Sequence, residues 1–124
     1  MTCPLCERLR DGSPIIAGEH ASAIPDGFPV GPGHTLIVAH RHEADLFGLP
    51  AEEQADMWAL VRSVQARLRD ELRPQGFTVG ANVGAAGGQT IPHAHIHVIP
   101  RFTGDVVDPR GGVRWVIPAR AAYW

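Results

Sequence analysis

The sequence lacks the features that would direct it to a nucleic acid, a membrane or the cell exterior. Eleven Lys and Arg against thirteen Asp and Glu leave a formal net charge of −2, so there is no basic excess or stripe of the kind that duplex DNA or RNA binding needs. No apolar run reaches the ~20 residues that cross a bilayer, and the N-terminus is too polar for a signal peptide, so a cytoplasmic protein is expected. Repeats, low-complexity tracts and linkers are absent too. The 124 residues suit one compact domain, 1–124, with residues 103–124 as a tail. Neither a Walker loop nor a dinucleotide fingerprint occurs, since the lysine and the glycine spacing are missing. Cysteine is scarce, and its two residues stand as Cys3-Pro4-Leu5-Cys6. Nothing points to secretion and hence to a disulfide, and a thioredoxin-like pair would need a strand before it. What remains is half of a tetrahedral zinc shell or two ordinary thiols.

What is present reads as alternating short strands and two helices. Glu7 to Asp11 continues a short helix from the cysteine pair and stops at Gly12. Ile15 to Ile24 makes two short strands around a turn near Gly18 and Glu19, and Pro25-Asp26-Gly27 is a turn. Phe28 to Gly33 is a loop. The apolar Leu36-Ile37-Val38 predicts a strand over His34 to His40. A long helix is expected from Ala51 to Arg73. Glu52 and Glu53 suit its start, Met57, Trp58, Val61, Val64, Leu68 and Leu72 keep three-or-four spacing, and Pro74 and Gly76 end it. Phe77 to Val83 is a strand, followed by a glycine-rich turn, and a last strand begins near His93 and ends at Phe102. The connections suit antiparallel pairing of strands two and three, and of four and five. These elements define an α+β fold, one sheet with helices packed on a face.

His93, His95 and His97 alternate with Ala94, Ile96 and Val98. On a strand, alternation sends three imidazoles to one face and the aliphatic side chains to the core. One zinc ion held by all three is disfavoured: with a rise of about 3.3 Å per residue the outer two start roughly 13 Å apart, while each Zn–N bond is about 2.1 Å. The segment before them, Asn82 to Thr90, is rich in small residues whose backbone N–H groups can approach an anion, with Gln89 and Thr90 as added donors. A phosphate bound next to a histidine nucleophile accounts for both features.

On these residues the sequence resembles the histidine triad (HIT) family of nucleotide hydrolases and transferases. The family motif, His-x-His-x-His-x-x with x apolar, stands complete as His93 to Ile99. Gly88-Gln89-Thr90 and Pro29-Val30-Gly31-Pro32-Gly33-His34-Thr35-Leu36 match as well, and the likeness runs in family order from Cys3 to Arg101. Gly104 to Trp124 resembles the tails of bacterial branches more loosely.

The resemblance implies a five-stranded antiparallel sheet with one long and one short helix, and a dimer in which two sheets join into ten strands. Met57, Trp58 and Val61 are candidates for the interface, each of which could equally belong to the core of a single chain. It makes His95 the nucleophile on the α-phosphorus, forming a nucleotidyl-histidine, with its other nitrogen donating to a backbone carbonyl, that of His93. His97 would serve the α-phosphate or the leaving group, with His34 near the same pocket. Asn82, Gly88, Gln89 and Thr90 would surround the phosphate, and Asp26 would meet the ribose hydroxyls unless it is a plain turn aspartate. Some members hold a structural zinc, for which this chain offers Cys3, Cys6, His42 and His93; His40 competes with His42 for that place, and His20 is left as a surface residue. The chemical step would need no metal. A purine nucleotide partner is implied, adenine rather than guanine, within a dinucleoside polyphosphate or a nucleoside phosphoramidate. A non-enzymatic nucleotide-binding or scaffold protein and a zinc-dependent hydrolase are the rivals. Arg101, Arg114 and Trp115 lie toward the leaving group without an assigned role, and Trp124 either stacks on a base or is buried.

Overall fold

The computed structural model describes residues 2–124. Helix α1 (Pro4–Asp11) precedes strands β1 (Ile16–Ala17), β2 (Ala21–Pro25) and β3 (Thr35–Ala39); α2 (Ala51–Leu72), β4 (Gly76–Gly80), β5 (His95–Arg101) and α3 (Pro118–Ala121) follow. The five strands form one sheet in the order β1-β2-β3-β5-β4, every pair antiparallel.

Two apolar layers fix the sheet. On α2, Met57, Leu60, Val64 and Leu68 form one buried stripe, and it lies on Ala21, Ala23, Ile37, Ala39, Ile96 and Val98. The helix ends where Arg73 turns left-handed at φ 53 and Pro74 removes the next donor. On the other face, α1 sets Leu5 against Ile24, Leu36 and Val38. With both faces covered, β3 is buried throughout, whereas β5 alternates and leaves the face of His95 and His97 accessible. That accessible strip is where chemistry can occur.

Of the two readings of Met57, interface or core, the structure gives the core: it is 0% exposed within the single chain, beneath the sheet. Trp58 is 45% exposed, and Val61 packs partly on the core. Met57→Ala is expected to cost about 2–5 kcal/mol through the cavity it leaves; a urea midpoint shift equivalent to less than ~1 kcal/mol would contradict this placement.

Two strand limits also differ. β4 stops at Gly80, whose ladder partner is His97, and the chain then leaves the sheet. β5 starts at His95, so His93 stands in the bend before it. The tail is more ordered than its Gly, Pro and Arg content suggests. It adds a turn at Gly112–Val116 and the third helix, whose end carbonyls on Arg120 and Ala121 accept from Arg114. Arg110 lies 4.7 Å from the Trp124 ring centroid and Arg114 lies 4.6 Å from that of Tyr123. Among the described residues, no helix is long and apolar enough to cross a membrane.

Candidate functional site

Backbone carbonyls set the protons on the histidine row. His95 Nδ1 lies 2.6 Å from the His93 carbonyl oxygen. A carbonyl only accepts, so Nδ1 carries the proton and Nε2 presents a bare lone pair. His93 Nε2 in turn donates to Ala39 O at 2.7 Å, which leaves its Nδ1 bare. The Val30 N–H donates to His34 Nδ1 at 3.1 Å, so His34 is protonated on Nε2 and donates to His97 Nδ1 at 2.9 Å. Neutral His97 therefore carries its proton on Nε2. The rings of His95 and His97 are 5.2 Å apart between centroids. The row thus offers a nucleophilic nitrogen next to a proton donor, and a third histidine whose free nitrogen turns elsewhere.

His34 is tied to Asp26, whose Oδ2 lies 3.2 Å from His34 Nε2 and 3.9 Å from His97 Nδ1. The other carboxylate oxygen accepts from the Phe28 N–H at 2.8 Å, so Asp26 braces its own turn as well. Register explains the meeting: Leu36 pairs with His97, which brings the start of β3 beside the middle of β5. Burial pushes His34 and His97 below the usual value of 6.5, the neighbouring imidazoles add to this for His97, and Asp26 partly offsets it in both. An unfolded chain takes up protons on these rings near pH 6.5, while the folded chain resists until lower pH. Stability from this source is complete above that value and is lost as pH falls through the lowered folded values. Urea midpoints should drop between about pH 7 and pH 5, less steeply in His97→Gln; identical slopes in both proteins would contradict the assignment.

The bare Nδ1 of His93 faces Cys3 Sγ and Cys6 Sγ, each at 3.4 Å, and His42 Nδ1 at 3.3 Å; Cys6 Sγ lies 3.3 Å from His42 Nδ1. Zinc bonds of about 2.1 Å to nitrogen and 2.3 Å to sulfur at tetrahedral angles space nitrogen pairs by about 3.4 Å and nitrogen–sulfur pairs by about 3.6 Å. The four groups fit that shell. Ala39 O orients His93 from behind, as metal-ligating histidines usually require. Burial and the adjoining Cys3 thiol push the Cys6 thiol above 9.0, an effect that a cation would reverse. His40 is not in the cluster. β3 ends before it, and its ring instead meets Ser22 Oγ at 2.8 Å and Glu19 O at 3.1 Å. His20 contacts Asp56 at 3.6 Å.

The glycine-rich segment leaves the sheet beside His97 and returns at His93. Gly84 and Gly88 take φ of 76° and 92°, which other residues adopt at a cost. Asn82 lies beside Gly88, and both it and Thr90 are exposed. Gln89 departs from the sequence expectation. Its side chain bonds Gly84 N, Ala44 O and Ile91 O within the protein, and so is not free to meet a phosphate. Arg101 is likewise engaged, by Asp105 at 2.7 and 2.9 Å and Thr78 at 3.0 Å, and Trp124 packs on Arg110. Missed from sequence were the tie between Asp26 and the histidine pair, the Val30 donor and the bracing role of Gln89. Only the eight-residue interval of Asp26 and His34 around a Pro/Gly turn hinted at the first.

Fold and site together define a single-sheet α+β protein that carries a histidine triad beside a four-ligand Cys/His cluster. The chain belongs to the HIT family: the HIT domain profile matches residues 10–104. A crystal structure of a HIT family protein from Bacillus anthracis superposes with a TM-score of 0.78 at 31% identity, covering 84% of this chain and 76% of that one. The structure of a zinc-bound histidine triad family protein from Mycobacterium smegmatis gives 0.77 at 32% identity, over 86% and 80%. A Mycobacterium tuberculosis protein named AP-4-A phosphorylase is 34% identical over 96 residues, 77% of this chain but 49% of that relative. The chain spans 60% of a Mycoplasma genitalium HIT-like relative.

Proposed function

We propose that the chain is a nucleotide hydrolase that cleaves at the α-phosphate of dinucleoside polyphosphates or nucleoside phosphoramidates through a nucleotidyl-His95 intermediate. The observation that carries this is the fixed tautomer of His95, with Nδ1–H on the His93 carbonyl and a bare Nε2, on a ring whose centroid lies 5.2 Å from that of His97. His95 Nε2 attacks the α-phosphorus; the P–N bond forms and the bond to the leaving group breaks, a polyphosphate leaving as its anion and an amine taking a proton from water. Neutral His97 donates a hydrogen bond from Nε2 to the α-phosphate or the leaving group and keeps its proton. Water then attacks the same phosphorus, gives its proton to solvent, and breaks the P–N bond, releasing a nucleoside monophosphate and neutral His95. His34 holds His97 in the tautomer this needs, and Asp26 holds His34. A carboxylate has about four acceptor positions, so Asp26 can also meet ribose hydroxyls. Asn82, Gly88 and Thr90 are the proposed phosphate contacts, and a purine, adenine first, the proposed base.

Cys3, Cys6, His42 and His93 would hold zinc, which would supply a structural tie between α1, the segment after β3 and the start of β5. No step above passes through it. A two-fold dimer with sheets joined into ten strands belongs to the same proposal; β4 is an outer strand, and Trp58 is exposed on α2.

The name of the M. tuberculosis relative favours a second version in which inorganic phosphate, not water, accepts the nucleotidyl group. A panel of diadenosine polyphosphates and adenosine phosphoramidates, each with and without phosphate, tests both. AMP as product supports hydrolysis, phosphate-dependent ADP supports phosphorolysis, and binding without turnover would leave a nucleotide-binding protein and overturn the proposal.

A further inference from the structure

Gln89 links the 84–90 loop to the arm that carries His42. It is half-buried within a 84–90 loop whose other residues are exposed. Its amide nitrogen donates to Ala44 O at 2.8 Å and to Ile91 O at 3.0 Å, and its Oε1 accepts from the Gly84 N–H at 2.9 Å. Two carbonyls against one end and an N–H against the other allow only this orientation of the amide. Its own backbone N–H is also engaged, on Gly84 O at 3.1 Å. A primary amide has two N–H donors, so none remains for a ligand.

The far end of this brace is the arm that carries His42. Ala44 lies two residues beyond His42, and the intervening Glu43 carbonyl accepts from the Ala94 N–H at 2.6 Å, next to His95. Arg41 anchors the same arm to the first turns of α2 through Glu53, at 3.1 and 2.6 Å. The near end is Gly84, which opens the loop at a positive φ of 76° with no other group packed against it. Fixing His42 on an ion would fix Ala44 O, and through Gln89 the direction of Gly84 and the loop behind it.

We infer that Gln89 is a positioning residue that couples occupancy of the Cys3–Cys6–His42–His93 cluster to nucleotide binding by the 84–90 loop. This rests on the metal and nucleotide readings above. Linkage makes the coupling reciprocal, so a bound nucleotide also tightens zinc.

The test is a double-mutant cycle on the whole chain, read as AMP affinity by calorimetry together with zinc content. His42→Ala frees the arm, Gln89→Met removes the brace at nearly constant length, and the third protein carries both changes. Each single change is expected to weaken AMP at least about fivefold, and the double change no further, because one connection is cut twice. Gln89→Glu, which keeps an acceptor for Gly84 but loses both donors, should behave like Gln89→Met. In the unsubstituted chain, saturating AMP should slow zinc transfer to a chelator, and in Gln89→Met it should not. Additive losses, or a Gln89→Met protein in which AMP still protects zinc, overturn the coupling while leaving both sites standing. An unsubstituted chain that takes up no zinc, or binds no AMP, overturns those underlying readings and the coupling with them.

Discussion

His95→Ala is expected to lower the release of nucleoside monophosphate by at least about three orders of magnitude. The size follows from the geometry. His95 is a partly exposed imidazole on β5 whose Nδ1 is committed to a carbonyl, at 2.6 Å from His93 O, which leaves Nε2 bare. His93 cannot substitute, since its free Nδ1 is turned into the Cys/His cluster. His97 cannot either, since its Nδ1 accepts from His34 and its Nε2 carries a proton. Alanine at 95 removes the proposed nucleophile while leaving the His97 hydrogen-bond donor and the loop. AMP affinity should therefore stay within about threefold of the parent protein, which separates lost chemistry from lost binding. His97→Gln retains a polar group in place but not the Nε2–H that His34 orients, and about a hundredfold loss is expected. Monophosphate release that persists unchanged in His95→Ala would favour the scaffold alternative, with the turnover arising from another source.

The largest expected effect on stability comes from the Cys/His cluster proposed to hold zinc. With zinc in that cluster, Cys6→Ala should lose the ion and about 3–5 kcal/mol of stability, because metal binding by the folded site adds directly to folding free energy. For a chain of this size that is a melting temperature roughly 10 °C or more lower. The loss is large because the cluster ties together three separate segments of the chain: α1 through Cys3 and Cys6, the exposed arm through His42, and the buried bend through His93. Chelation should reproduce the effect. At a temperature where the stripped chain remains folded, turnover should persist at a reduced rate. Chemistry abolished with nucleotide binding retained would instead support a catalytic zinc.

Much of this was legible in the sequence, for a physical reason. Alternation on β5 and the stripe on α2 are local patterns, and they place His95, His97 and the core without knowledge of what lies opposite. The length of the strand argued against one ion shared by all three histidines, whereas the grouping of His93 with Cys3, Cys6 and His42 was implied by the family resemblance rather than by spacing. What decided the tautomers was not legible, since Ala39 O and the Val30 N–H are backbone groups brought in by register and turn shape. The same holds for Asp26, whose contact with His34 depends on how β2 and β3 leave the sheet. Gln89 looked like a phosphate ligand by its position. Its inward orientation depends on two glycines with positive φ and on an arm 45 residues away. The tail escaped because its order comes from Arg–aromatic stacking rather than from any periodicity.

The most direct measurement of the central claim is rapid-quench mass spectrometry of the chain during turnover of an adenosine phosphoramidate, followed by mapping of the adduct. The account predicts one AMP group per chain, acid-labile, on the peptide containing His95, appearing before free AMP and absent in His95→Ala. Turnover with no adduct at any time, or an adduct on His97 or a cysteine, would contradict it.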